Sequence, residues 1–420
     1  MVGRWILALV MPALALLAAC GSASDGRPMA IDMGTEVLVR DLDRDGRPDI
    51  VALTHRFGDQ PVRGQITVLR QRVDGGFDLA DRLDFGCYPW SMTAADIDGD
   101  GLDDLVIADV GSHGCSEPDS GNALYLLRQD RARPGRLLPP QKLLADVYAY
   151  RAVVADLDGD GLPDIAFGDS RRGGHALRLL RQDPLQRGRF TAPVAIDVGG
   201  SLSELAAGDV DGDGRADLFA LLYDDSSGYV PNNRLVLMLQ QADGTLAPPR
   251  TLAAQSGVDP QRLAIADVDA DGRADLLAHL TPFSTDYGAL LRVLVQGPAH
   301  GTWSAPVDTG IAWMLGVDRT AFGDLDGDRR TDAVLAGSWP ESGGPYAAPN
   351  IRSRVNVVRA TGAGQWQHVA AIDVAPQPDA MAIGDLDGDG RADLVLHDGR
   401  TQWTMRQETP LGFTAPRALN

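Results

Sequence analysis

Lysine is almost missing from this chain: Lys142 is the only one, and every other basic residue is arginine. A GC-rich coding sequence accounts for that bias without any functional demand. Aromatic residues are sparse, at 6% of 420, and no segment keeps a 3.6-residue apolar period, which excludes a helical bundle. Positive charge is in deficit, with 38 basic against 58 acidic residues and a net charge of −20. Nucleic acid is therefore excluded as a partner, because phosphate neutralisation needs a basic face. No nucleophile elbow, zinc-protease motif, phosphate loop or paired-glutamate arrangement is present. What remains is a chain 44% hydrophobic and 23% charged, too apolar for disorder. Its 48 glycines and 26 prolines point to many turns between short strands.

Cysteine is scarce too, and its three positions are informative. One arginine precedes an apolar run from Trp5 to Ala19, which ends Leu17-Ala18-Ala19-Cys20. The run is short for a membrane span and reads as an export signal. It resembles the lipobox of bacterial lipoproteins, which implies cleavage before Cys20 and a diacylglycerol on its thiol. Gly21 follows rather than aspartate, so the resemblance implies the outer membrane as destination, with the lipid as the only anchor. The expected organisation is a signal peptide over 1–19, a lipidated cysteine and polar tether over 20–28, and a single domain over 29–420. Export leaves Cys87 and Cys115 in an oxidising compartment, where a pair normally closes, and a disulfide between them is expected.

The pattern Asp-x-Asp-x-Asp-x-x-x-Asp occurs seven times. The copies are Asp41/Asp43/Asp45/Asp49, Asp96/Asp98/Asp100/Asp104, Asp156/Asp158/Asp160/Asp164 and Asp209/Asp211/Asp213/Asp217. Three more are Asp267/Asp269/Asp271/Asp275, Asp324/Asp326/Asp328/Asp332 and Asp385/Asp387/Asp389/Asp393. Consecutive first aspartates lie 53 to 61 residues apart, so the chain is one repeat array rather than several unrelated domains. Carboxylates at positions 1, 3, 5 and 9, with glycine at 6 for the sharp turn, collect hard oxygens as Ca²⁺ requires. All 28 aspartates are therefore expected as metal ligands. An acidic turn holding no ion explains one such loop but poorly explains seven aligned copies. An EF-hand is excluded, because position 12 is apolar every time: Ala52, Ile107, Phe167, Ala220, Ala278, Leu335 and Leu396.

Each loop lies between two short apolar runs, such as Leu263–Ala266 and Asp393–Leu396, and two further strand-like runs follow. Four strands per unit and seven units predict an all-β, seven-bladed β-propeller of antiparallel blades. The small residues before the loops (Ala95, Ala155, Gly208, Ala266, Gly323 and Gly384) fit where innermost strands converge; Arg40 departs from this. The loops and their strand context resemble FG-GAP/VCBS repeats, the calcium-binding blades also found in integrin α-subunit propellers. That resemblance implies up to seven structural Ca²⁺ ions, in loops between the first and second strands, on one face.

Recognition is then expected on the opposite face, where aromatic and charged residues collect in loops. Tyr88, Trp90, Tyr150, Trp313 and Trp339 are the candidate ligand contacts, and the connections also hold His279 and His397. The expected function is a monomeric, lipid-anchored binding or scaffold module for a glycan or an envelope or extracellular protein. The alternative is a polysaccharide lyase or hydrolase on the same scaffold. The Asp324 loop is expected to hold calcium most weakly, because Arg329 replaces the position-6 glycine and Arg330 adds a second positive charge.

Overall fold

Runs such as Leu105–Ala108 and Leu218–Leu222 are apolar throughout rather than alternating, which is the mark of strands covered on both faces. In the computed structural model they are the second strands of their sheets and are completely buried. The structure describes residues 31–419, apart from 58–62, 87, 112–121, 170–175, 224–231, 257, 283–289, 299–300, 313–314, 341–350, 363 and 376. Cys20, Cys87, Cys115 and Trp313, with the segments 1–19 and 20–28, lie outside the described residues.

Seven four-stranded antiparallel sheets form, each a meander in chain order, and a two-stranded hairpin, Gln407–Thr409 with Gly412–Phe413, interrupts the last. The innermost strands are Ile31–Arg40, Pro89–Ala95, Ala149–Ala155, Ser201–Gly208, Val258–Ala266, Leu315–Gly323 and Ala380–Gly384. Each touches the next, and Ala380–Gly384 returns to Ile31–Arg40, so the sheets are blades of a closed ring. Outer strands are more exposed, as in Val194–Asp197, where only Ile196 is half-buried.

The apolar core lies between blades. Seven clusters fill the seven junctions; the first, for example, joins Val51, Leu53 and Ile66 of blade 1 to Leu105, Ile107 and Tyr125 of blade 2. The seventh joins Val37, Ile50 and Phe77 to Ala380, Leu386 and Val395. Blade 7 draws all four strands from the C-terminal end and blade 1 all four from the N-terminal end. Ring closure thus uses side-chain packing rather than a strand shared between the chain ends.

The small residues before the loops serve that packing. A Cβ on Gly384 would come within 2.5 Å of Val39 Cγ1, and Cβ atoms on Gly208 and Gly323 would sit 3.3 Å from Ile265 and Ile383 of the next blade. Arg40, at the same register position, is exposed and does not enter the core.

Candidate metal loops and recognition face

Each acidic loop folds around its own aspartates. The position-1 carboxylate accepts the N–H of position 6, as from Gly46 to Asp41 and from Gly101 to Asp96, both at 2.9 Å. The position-5 carboxylate accepts the N–H of position 7, as from Leu102 to Asp100 at 2.8 Å. Position 6 has positive φ throughout, including Arg329 at 69°, as the glycine pattern predicts. Position 4 is also left-handed, and there Arg44 and Ala270 adopt φ of 55° and 62° where the five other loops carry glycine. The sequence pattern marked position 6 and missed position 4.

Position 9 is the buried end of the loop. Asp49, Asp104, Asp164, Asp217, Asp275, Asp332 and Asp393 are all essentially inaccessible. Each accepts a backbone N–H from the end of the third strand, such as Gln129 to Asp104 at 2.9 Å and Gln240 to Asp217 at 2.8 Å. Burial pushes the pKa values of Asp49, Asp217, Asp275 and Asp332 up to about 6, and those of Asp104 and Asp164 to about 7. The backbone N–H bonds oppose this rise, and the loop's other carboxylates add to it.

The donor set fits a hard divalent cation. In loops 1 to 5, three carboxylates place oxygens within 4.8 Å of one another. Asp104 Oδ2 is buried with no hydrogen-bond partner among the described residues. A counter-cation would relieve such crowding of like charges.

Different triplets of carboxylates lie together in different loops. Positions 1, 3 and 5 converge in loops 1, 2 and 5, as in Asp41/Asp43/Asp45. In loops 3 and 4 the converging carboxylates are instead those of positions 1, 3 and 9, Asp156/Asp158/Asp164 and Asp209/Asp211/Asp217. Asp160 and Asp213 stand outside those groups and are exposed, and Asp389 of loop 7 is exposed as well. Position 5 is engaged in the same way throughout: Asp100 and Asp160 both accept the N–H of position 7, and Asp45 and Asp271 pair with Arg47 and Arg273 as Asp213 and Asp389 do with Arg215 and Arg391.

Two parts of the loop machinery lie outside the aspartate pattern. Position 2 is always aliphatic, and Leu42, Ile97, Leu157, Val210, Val268, Leu325 and Leu386 are buried in the inter-blade core, pinning each loop to its junction. A glutamine stands at the end of the third strand or two residues beyond it in six blades: Gln71, Gln129, Gln182, Gln240, Gln296 and Gln407. Five of these side chains donate to a loop carbonyl of the preceding blade. Gln129 reaches Leu42 O at 2.9 Å, Gln240 reaches Asp156 O at 3.1 Å and Gln407 reaches Leu325 O at 2.6 Å. Gln71 and Gln296 bond to Leu386 O and Val210 O in the same way. Gln182 instead bonds to Pro163 O of its own blade, and Ala360 stands in place of glutamine in blade 6.

At the opposite end, β-bulges interrupt the starts of the innermost strands, at Gly34/Glu36, Pro89/Ser91, Leu202/Glu204 and Pro260/Arg262. A bulge re-aims side chains, and Glu36, Ser91, Glu204 and Arg262, each five residues before a first loop aspartate, lie at these bulges; Arg151, Arg319 and Ala380 hold the same position in the other blades. Glu36 of blade 1 reaches Arg151 of blade 3 at 2.5 Å and Arg262 of blade 5 at 3.3 Å, which places it across the ring axis. Arg151 also holds Glu204 at 2.8 Å, and Glu36 Oε2 accepts the Met92 N–H. Burial opposes the charge on Arg151, but Glu204 and Glu36 outweigh it and its pKa is raised. Burial raises the Glu204 pKa against the pull of Arg151 and Arg262.

Beside this cluster Tyr88, Trp90 and Tyr150 form one continuous stack. Centroids are 5.9 Å apart for Tyr88–Trp90 and 5.0 Å for Trp90–Tyr150, so the stack crosses from blade 2 to blade 3. Three of the five candidate contacts are thereby brought together. Trp339 pairs with Arg352 in the backbone ladder of blade 6, away from that stack, and its side chain lies outside the described residues. His279 and His397 are fully buried rather than presented to solvent. Burial, helped by Arg262, lowers the His279 pKa to about 4, and its Nδ1 meets Thr320 Oγ1 of blade 6 at 2.9 Å.

Seven four-stranded blades around a closed axis define a β-propeller. The FG-GAP-like repeat family matches residues 41–107, 156–220 and 324–396, and the FG-GAP repeat family matches residues 88–127. The chain belongs to the FG-GAP-repeat β-propellers. No protein of curated function matches it in sequence. Among solved structures, the periplasmic gluconolactonase PpgL of Pseudomonas aeruginosa is similar at 17% identity and a TM-score of 0.51, over 79% of this chain and 84% of that one. The rhamnogalacturonan lyase PL11 of Bacillus licheniformis is 16% identical with a TM-score of 0.44, over 90% of this chain and 71% of that one. At such identities the likeness speaks for the fold alone.

Proposed function

We propose that this protein is a calcium-stabilised binding module, tethered to the cell envelope through Cys20, that receives a glycan or protein ligand on the face opposite its acidic loops. The observation that carries the reading is the Tyr88–Trp90–Tyr150 stack beside the axial charge cluster. Flat aromatic surface next to fixed hydrogen-bonding groups suits sugar rings and peptide side chains alike. Binding is favoured over catalysis because Glu36 and Glu204 are buried and committed to Arg151, rather than poised to exchange protons with a substrate.

The converging aspartates of each loop would hold Ca²⁺, whose charge would relieve the repulsion among them. The role is structural, because these loops tie adjacent blades together at the end away from the aromatic stack. A Cys87–Cys115 disulfide belongs to the same reading and would brace blade 2.

The test is a pull-down of glycans and envelope proteins with the chain truncated to begin after Cys20, alongside its Trp90→Ala and Tyr150→Ala variants. Both variants should lose the captured ligand while keeping their calcium-dependent melting temperature. Equal capture by the parent and both variants would remove the aromatic stack as the site.

A further inference from the structure

Blade 6 departs from its siblings at three places that lie together. Arg329 occupies the left-handed position 6, Ala360 replaces the third-strand glutamine, and Arg359 precedes it. In blades 1, 2 and 3 the residue equivalent to Arg359 is Arg70, Arg128 or Arg181, and each stands 3.5–3.6 Å from the position-3 carboxylate of its own loop. Arg406 of blade 7 is 4.0 Å from Asp387 and turns instead to Asp393, at 2.7 Å. Blades 4 and 5 carry Leu239 and Val295 there, so no third-strand cation faces Asp211 or Asp269.

Only in blade 6 does this arginine close fully on the loop. Arg359 Nε lies 2.6 Å from Asp326 Oδ2 and its Nη2 lies 3.1 Å from Asp328 Oδ2. The guanidinium fork therefore spans positions 3 and 5, two of the carboxylates that converge in loops 1, 2 and 5. Arg330 adds a second contact to Asp328 at 2.9 Å. Arginine next to the position-5 carboxylate is not itself peculiar to this blade, since Arg47, Arg215, Arg273 and Arg391 hold the same place in four other loops. What sets blade 6 apart is Arg359, together with Arg329. Its four carboxylates are accompanied by three guanidiniums, as are those of blade 1, against one in the loops of blades 4 and 5; in blade 1, however, Arg70 stands 3.5 Å from Asp43.

We infer that the blade 6 loop is a self-filled cation site: the Arg359 guanidinium takes the place a divalent ion would occupy in the other loops, and this blade keeps its shape without metal. The inference rests on the reading of the remaining loops as calcium sites. Arginine suits the substitution because its planar fork bridges two carboxylates at once, which the single charge of lysine does not. Loss of the interlocking glutamine is matched by a backbone bond at the same junction, from Thr331 N–H to Asp267 O at 2.9 Å. Blade 6 is thus fastened to the blade 5 loop by main chain rather than by side chain.

Two measurements on the full chain test this. Native mass spectrometry in a calcium titration should show that Asp211→Asn removes one bound ion, whereas the double change Asp326→Asn with Asp328→Asn removes none. Loss of an ion from the double variant would overturn the inference. No loss from Asp211→Asn would instead sink the calcium reading of the loops. The second measurement stands on its own: in EDTA, Arg359→Gln should lower the melting temperature, and millimolar calcium should restore it with one additional bound ion. An unchanged melting temperature for Arg359→Gln in EDTA would show that the guanidinium does not hold the loop.

Discussion

Position 4 of each acidic loop is left-handed, and five of the seven loops meet that demand with glycine: Gly99, Gly159, Gly212, Gly327 and Gly388. Arg44 and Ala270 adopt the same conformation with a Cβ in place. A Cβ added to Gly159 would meet nothing within 4 Å, so Gly159→Ala isolates backbone strain from crowding. It should cost about 1–2 kcal/mol, the left-handed penalty for a residue with a Cβ. Ala270→Gly should relieve the same strain, less the roughly 0.4–1 kcal/mol by which glycine loosens the unfolded chain. Chemical denaturation of the pair in EDTA measures both, and equal midpoints for the two variants would remove strain as the explanation. The aspartates themselves were legible at this scale, since spacing alone defines them. Which of them converge was not, because loops of equal spacing bring together different triplets, Asp41/Asp43/Asp45 in one and Asp156/Asp158/Asp164 in another. Glu36 and Arg151 were also hidden, although each stands five residues before a first loop aspartate, because nothing local says that the two meet across an axis.

At the scale of elements, apolar runs were enough to place strands. The run Asp393–Leu396 read from sequence lies within the strand Asp393–His397. The terminal glutamines carry what the runs could not show. A glutamine closing a strand looks like any polar residue at a turn until the neighbouring blade brings a carbonyl to its amide. Gln296→Ala would strip Val210 O of that partner in a buried setting. A buried group left unsatisfied costs about 1–3 kcal/mol, whereas Gln186→Ala, on an exposed turn, should stay within roughly 0.5 kcal/mol of the parent. Thermal melts of the two variants decide the matter, and indistinguishable values would reduce the interlock to an incidental contact.

The whole molecule should show an inverted acid response when its loops lack metal. Six position-9 carboxylates have folded pKa values of about 6 to 7, against 3.8 without burial. Between those limits the folded chain binds more protons than the unfolded one, so stability falls as pH rises through the window. His279 acts in the opposite sense, since its lowered pKa makes stability fall as pH drops below 6.5 towards about 4, but it is one group against six. In EDTA the melting temperature should therefore drop between pH 5 and pH 7.5. In millimolar calcium the ion replaces those protons, and the same interval should be flat or rising. A melting temperature that rises with pH in EDTA, or that ignores calcium altogether, would contradict the charge crowding on which the metal reading depends.

Repetition made the architecture readable: seven loops at blade spacing determined the number of blades, the strand pattern within each and the face that collects acid. Those features are local, set by residues within one unit of about 57 positions. The junctions were decided only in three dimensions. The seam between Gly384 and Val39, the glutamine interlocks, the Tyr88–Trp90–Tyr150 stack and the Arg359 fork all join residues whose meeting depends on how separate strands or blades are turned towards each other. A repeat specifies its own fold from within, but the chemistry between elements exists only once the ring has closed.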